Sequence, residues 1–73
     1  MINEILAKIP RRIITALEFY ASDPDDFETR RCYSWAIFSA CSTLSDLNVI
    51  SLNESDALYT YYHDRLYNGG NAQ

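Results

Sequence analysis

Apolar residues in the first third of the chain recur every three or four positions. This spacing places them on one face of an amphipathic helix, which we predict from Ile2 to about Ala21. Pro10 interrupts this segment, because proline removes one backbone hydrogen bond and clashes with the preceding turn. The sequence therefore predicts a first helix that is kinked at Pro10, or divided there, with proline at the first position of the second piece. Ile14 and Phe19 lie off the main apolar face.

A second helix is predicted from Pro24 to about Leu47. Asp23 is suited to cap its first turn, and proline is well tolerated at the first helical position. The middle of this helix is apolar or small on most sides and includes Trp35 and Phe38. A helix that is apolar on most sides is typical of the centre of a bundle, so we place this helix in the middle.

A third helix is predicted from Glu54 to about Tyr67. Asn48 is able to adopt the left-handed conformation that ends the preceding helix, and Asn53 is suited to cap the new one. The side chains spaced along its inner row are Leu58, Tyr62 and Leu66.

These patterns predict an all-α protein, built as a small antiparallel bundle of three helices. The chain has 73 residues, which indicates one domain, and we assign residues 1–68 to it and residues 69–73 to a flexible tail. A chain of this length buries only about 60% of the surface that it exposes when unfolded. Small cores of this kind are often stabilised further by a disulfide, a metal ion or a partner.

The formal net charge of −4 argues against general binding to nucleic acid, whose affinity depends largely on neutralising phosphates. It argues equally against a basic helix on a membrane surface. The longest uncharged stretch, residues 32–45, is shorter than the roughly 20 residues that a membrane span requires. We therefore expect a protein without a membrane segment.

Cys32 and Cys41 are too few for a disulfide framework. If both lie on one helix, their Cα atoms are about 13 Å apart, which exceeds the roughly 7 Å limit for a disulfide. We expect free, buried thiols, which suit a reducing cytoplasm. The N-terminus lacks a signal-peptide pattern, since Glu4 and Lys8 interrupt its apolar residues.

No residue pattern predicts catalysis, a metal or a cofactor. His63 is the single histidine, and a histidine acting as general base needs a partner in a cleft. Metal sites need three or four converging ligands, which one histidine and two separated cysteines do not supply. Cys32 follows two arginines and is a candidate reactive thiol, since positive neighbours favour a thiolate, but no base is identifiable nearby. We expect a protein that is not an enzyme.

Four tyrosines near the C-terminus form the most informative cluster, and they point in several directions from the third helix. These are Tyr59, Tyr61, Tyr62 and Tyr67. Tyrosine is enriched at interfaces because its ring is apolar and its hydroxyl tolerates water. The rings could instead lie half-exposed on the surface of a small domain. Our first hypothesis is an interaction module that uses these tyrosines with Ile14 and Phe19 to bind another protein or a second copy.

The charged clusters support two further hypotheses. An acidic surface formed by Asp23, Asp25, Asp26 and Glu28 favours an inhibitor that mimics nucleic acid and blocks the basic site of an enzyme. If the first two helices are antiparallel, Arg11, Arg12, Arg30 and Arg31 could form one basic patch, which would suit a DNA-binding domain. These side chains could instead be solvated on exposed faces or pair with nearby Asp and Glu. The DNA-binding hypothesis ranks lower, because the third helix carries mainly acidic side chains, which phosphates repel.

Overall fold

The computed structural model describes residues 1–22 and 24–69, and all its regular structure is helical. The elements are α1 (Ile2–Leu6), α2 (Arg11–Tyr20), α3 (Phe27–Asp46) and α4 (Leu52–Asp64), followed by one π-helical turn (Arg65–Gly69). Because these residues contain no strand, the prediction of an all-α protein is confirmed at this level. The predicted tail lies outside the described residues, apart from Gly69.

The predicted first helix is divided into α1 and α2. Pro10 is the residue that caps α2, and its backbone is extended, with φ −57° and ψ 140°. The prediction that proline occupies the first helical position is therefore wrong by one residue. The linker before it turns Ile9 inward, where its side chain is buried. The apolar residues keep their spacing of three to four across the break. This is because Ile9 of the linker is buried in the core, as Ile5 of α1 and Leu17 of α2 are.

The start of α3 differs from the prediction. Its cap is Asp26, whose carboxylate accepts hydrogen bonds from the backbone and hydroxyl of Thr29 at 2.9 and 2.7 Å. The helix begins at Phe27 rather than at Pro24. Asp23, the predicted cap, lies outside the described residues. The guanidinium of Arg30 donates to the Pro24 carbonyl at 2.7 Å, which fixes the chain just before the helix.

Of the two predictions for the link between α3 and α4, one is confirmed and one is wrong. Asn48 has φ 61°, the predicted left-handed conformation. The cap of α4 is Ser51 and not Asn53. The Ser51 hydroxyl accepts from the Glu54 backbone, and the Glu54 carboxylate accepts from the Ser51 backbone, which completes a capping box. Regular α-helix ends at Asp64, earlier than predicted, and the π-helical turn follows.

The helices α3 and α4 run antiparallel. Near one end of the pair, the Arg30 guanidinium lies 5.9 Å from the centre of the Tyr67 ring. Toward the other end, the buried Ser55 hydroxyl, in the first turn of α4, donates to the Cys41 carbonyl at 3.0 Å. Residues late in α4 therefore face residues early in α3.

The helix α2 is antiparallel to α3 on the other side. Tyr20, at the end of α2, contacts Tyr33 near the start of α3, with ring centres 5.1 Å apart. Arg12, near the start of α2, lines the same groove as Leu47 at the end of α3. The short α1 packs against α4.

The core draws on every helix and on the linkers. The predicted inner row of α4 and the following turn is confirmed as buried. The fully buried large side chains are Tyr62, Ile5, Leu17, Ile37, Leu44, Leu58 and Leu66.

The outward side of α3 is not covered by another helix of the described chain. α3 buries only one row of side chains, formed by Ile37, Cys41 and Leu44. Trp35 and Phe38, which we expected in the centre of a bundle, are 68% and 48% exposed. The interpretation of α3 as surrounded on most sides is therefore wrong, because α2 and α4 flank it and leave a third side open.

Candidate protein-interaction site

Five aromatic side chains form a continuous row of contacts over α3, α4 and the π-helical turn. We call this row the aromatic face, and it consists of Trp35, Phe38, Tyr59, His63 and Tyr67. Ring centres of successive members lie 5.9, 5.7, 5.2 and 4.7 Å apart along this order. The first two contacts are edge-to-face, an arrangement that aromatic pairs favour. The row joins two helices across their antiparallel seam.

Helical spacing places these rings in a row. Tyr59, His63 and Tyr67 are four residues apart, so they project from neighbouring turns on one side. Trp35 and Phe38 are three residues apart on α3, and Phe38 contacts Tyr59 of α4. His63 packs between its two tyrosine neighbours.

The aromatic face is most exposed at its α3 end. Trp35 and Phe38 are mostly or half exposed, whereas Tyr59, His63 and Tyr67 are half-buried. Adjacent, solvent-exposed large aromatic rings are unusual on a soluble chain and typically mark an interaction surface. The two α3 rings are therefore the part of this face best placed to contact another molecule.

A hollow lies beside the exposed rings, between the second half of α3 and the start of α4. Its lining includes the rings of Phe38 and Tyr59 and small side chains such as Ser42 and Ser45. Its volume is about 180 Å³, below the roughly 300–1,000 Å³ of pockets that hold small-molecule ligands. The hollow is therefore better suited to one side chain of a partner than to a metabolite.

Charged side chains lie at the two ends of the exposed part of α3. Asp46 and Asp56 line the hollow at one end. Arg31 lies toward the other end, with its guanidinium 3.8 Å from the Glu28 carboxylate. Both groups of this pair are mostly exposed, and such pairs contribute little to stability. Arg31 is therefore able to exchange this contact for one with a partner.

Of the predicted tyrosine cluster, Tyr59 and Tyr67 belong to the aromatic face. Tyr62 does not, since its side chain is fully buried. Its hydroxyl donates to the Glu18 carboxylate at 3.0 Å. Burial, followed by this hydrogen bond, raises the pKa of Tyr62. The assignment of Tyr62 to an interaction surface is wrong, because Tyr62 belongs to the inner row of α4 and its ring is buried in the core despite the polar hydroxyl.

Tyr61 lies near Arg65 and away from the exposed α3 rings. The guanidinium of Arg65 is 5.5 Å from the centre of the Tyr61 ring and donates two hydrogen bonds to Glu18. These bonds hold the pKa of the Glu18 carboxyl below its ordinary value. Tyr61 is part of a structural cluster that ties the C-terminal turn to α2.

Ile14 and Phe19, predicted to extend the tyrosine surface, lie elsewhere. Ile14 is half-buried and packs against the core. Phe19 is exposed but contacts Tyr20 and Tyr33, with ring centres 5.5 and 5.7 Å away. This cluster is on the α2 side of α3, so the structure does not join these residues to Tyr59 and Tyr67.

The four arginines of the predicted basic patch do not come together. Arg30 is at the start of α3, where it contacts Pro24 and Tyr67. Arg12 lies beside Thr43 and other residues late in α3. The distance along the helix from residue 30 to residue 43 is about 20 Å. The predicted patch of Arg11, Arg12, Arg30 and Arg31 is wrong. α2 and α3 are antiparallel, as that prediction assumed, but this packing sets the start of α2 beside the end of α3 and so separates the two pairs.

The acidic surface is located at the start of α3. Asp25, Asp26 and Glu28 are exposed there, while Asp23 lies outside the described residues. Hydrogen bonds from Thr29 hold the pKa of Asp26 below its ordinary value. Asp26 therefore serves the helix as its cap, and Glu28 pairs with Arg31.

The two cysteines have different environments. Cys41 is buried, and burial raises the pKa of its thiol to about 11. Cys32 is exposed, so the expectation that both thiols are buried is wrong for this residue. Both are free.

Among the described residues, no three histidine, cysteine, aspartate or glutamate side chains are grouped so that they could bind a metal ion. The same part of the chain contains no helix with the length and hydrophobicity needed to cross a membrane.

The exposed rings of α3 are the site residues that sequence reasoning missed. The sequence places Trp35 and Phe38 in the core because α3 is apolar on most sides. Periodicity does not separate them from the buried row, since Ile37, Cys41 and Leu44 have the same spacing of four and three residues.

Comparisons of this chain with protein-family models, with curated proteins and with solved structures give no match.

Proposed function

We propose that this protein is a small, non-enzymatic protein-interaction module that binds its partner through the aromatic face. The observation that supports this most directly is the exposure of Trp35 beside Phe38 on the open side of α3. Tryptophan is enriched among the residues that contribute most of the binding energy at protein interfaces. Burying such a pair stabilises a complex because it removes apolar surface from water.

The tyrosines contribute to this proposal in a narrower way than the sequence predicted. Tyr59 extends the exposed rings onto α4, and Tyr67 with His63 continues the row beyond it. A face built on two packed helices is preorganised, so little conformational entropy is lost on binding.

The acidic-inhibitor hypothesis remains a weaker proposal. Within the described chain, the Asp26 carboxylate accepts from the Thr29 hydroxyl and backbone as the cap of α3, so this carboxylate already has a structural role. The DNA-binding hypothesis loses its main support with the separation of the arginine pairs.

Position-specific photo-cross-linking in the cells that produce this chain tests the proposal. We would replace Phe38 with p-benzoylphenylalanine, and in a control protein replace Leu47, which is exposed on the opposite side of the end of α3. We expect a covalent protein adduct from position 38 that disappears when Trp35→Ala is added. Absence of an adduct at position 38, or equal adducts at both positions, would contradict the proposal.

A further inference from the structure

The outward side of α3 has the spacing of a coiled-coil seam. Its positions are separated alternately by four and three residues, which is the heptad pattern that lets one helix pack along another. The side chains along this seam are Arg31, Trp35, Phe38, Ser42 and Ser45. The seam extends over about 22 Å of helix.

The side chains of the seam are large in its first half and small in its second half. Trp35 and Phe38 are exposed in the first half, and the hollow lined in part by Ser42 and Ser45 adjoins the second. A second α3 packed antiparallel would place its aromatic half over the small half of the first, and the reverse contact would form by symmetry. Both halves would then be filled at native packing density. A parallel second helix would instead oppose tryptophan to tryptophan and leave both hollows empty.

The charges along the seam support the same orientation. Arg31 and its neighbour Glu28 lie at the aromatic end, while Asp46 and Asp56 lie at the small end. Antiparallel packing brings each arginine toward the partner's aspartates, twice per pair of chains, whereas parallel packing places the aspartates of the two copies against each other. The carboxylates of the hollow also offer an acceptor to the indole N–H, which needs one when a tryptophan is buried.

We propose that the partner of the aromatic face is a second copy of this chain, docked antiparallel through α3 in a two-fold symmetric homodimer. This inference rests on the proposed function and names the occupant of the face. Trp35 of each copy fills the hollow of the other, and Arg31 of each copy pairs with the carboxylates at the far end. A two-fold interface is self-complementary in this way, with each surface contributing both halves.

The net charge of −4 on each copy opposes association at long range. At about 0.15 M salt, charges more than roughly 8 Å apart are largely screened, so contacts within the seam dominate. The experiments below therefore use this ionic strength.

The first experiment measures association of the wild-type protein by sedimentation equilibrium, from about 1 µM to 1 mM, and by fluorescence of its single tryptophan. We expect a concentration-dependent dimer and a matching blue shift as the indole leaves water. Trp35→Ala should weaken association by about tenfold or more. Leu47→Ala removes an equally exposed side chain away from the seam and should leave association unchanged. A monomer throughout this range would overturn the proposal.

The second experiment tests the orientation by charge reversal. Arg31→Asp alone and Asp46→Arg alone each create two like-charge contacts in the antiparallel dimer, so each variant should dimerise about tenfold more weakly. Mixing the two variants should restore dimerisation, because both contacts in the mixed pair are then attractive. Failure of the mixture to dimerise better than either variant would overturn the antiparallel arrangement. Both changes suit the helix dipole, so neither should unfold α3.

The two proposals fail in different ways. A wild-type monomer together with a cross-linked adduct from position 38 to a different protein would overturn the homodimer and retain the interaction module. A monomer with no adduct at position 38 would overturn both. A dimer unaffected by Trp35→Ala would place the interface elsewhere on the molecule.

Discussion

Tyr62 shows how one residue can join the core to the surface. Its ring is fully buried, while its hydroxyl reaches the Glu18 carboxylate, which is also held by Arg65. A buried hydroxyl that lacks a partner is unfavourable, so this hydrogen bond permits a tyrosine at a core position. The same residue therefore connects α4 to α2.

Replacing Tyr62 with phenylalanine tests the contribution of this hydroxyl. We expect Tyr62→Phe to lower the free energy of unfolding by about 1 kcal/mol, because one hydrogen bond is lost while the ring remains buried. This corresponds to a decrease in Tm of about 4–8 °C in a domain of this size, measured by circular dichroism. Tyr59→Phe, on the aromatic face, is the control and should change the Tm much less. Equal effects would argue that the buried hydroxyl has no special role.

At the scale of the helices, the elements follow from the apolar periodicity, whereas their caps do not. Ser51 and Asn53, two residues apart, are both competent caps by residue type, and so are Asp23 and Asp26, three residues apart. Which one is used depends on where the chain leaves the preceding helix. The left-handed Asn48 directs the chain so that Ile50 is buried, and Ser51 then stands at the first free turn of α4.

The capping box of α4 gives a prediction that separates the two candidate caps. Ser51→Ala should destabilise the protein by about 1 kcal/mol, because the hydroxyl no longer accepts from the Glu54 backbone. Asn53→Ala should have little effect or a slight stabilising one, since alanine is the better helix former inside the first turn. Urea denaturation of both variants measures the difference. The reverse order of effects would favour Asn53 as the cap.

At the scale of the whole molecule, ion pairs connect elements that are distant in sequence. Arg65 pairs with Glu18 across the C-terminal turn and α2, and Lys8 pairs with Glu54 across the first linker and α4. Hydrogen bonds from these cations hold the pKa of Glu18 and of Glu54 below their ordinary values of 4.5. Both contacts link the divided first segment to the rest of the fold.

The lowered pKa values predict the pH dependence of stability. A carboxyl whose pKa is lower in the folded state stabilises the fold above its ordinary pKa, and this stabilisation is lost as the pH falls through the folded value. We therefore expect the urea midpoint to be nearly constant from neutral pH to about 5 and to fall below about 4.5. Glu18→Gln should reduce this acid dependence. A midpoint at pH 3 equal to that at pH 7 would contradict the assignment.

The amino-acid sequence by itself determined that the chain is helical, because apolar side chains recur with the helical period through its whole length. It also determined which row of the last helix is buried, through Leu58, Tyr62 and Leu66. Local chemistry was sufficient at Asn48, whose side chain tolerates the left-handed backbone.

Only the tertiary structure decided which sides of α3 are covered. Periodicity identifies the face of a helix only when the other face is polar, and α3 is apolar or small on most sides. The antiparallel packing of α2 and α4 against α3 buries Ile37 and leaves Trp35 exposed. The same packing separates Arg11 and Arg12 from Arg30 and Arg31, which would lie close together only if α2 and α3 were parallel. The candidate site depends on this packing because a side chain is exposed only where no neighbouring element covers it.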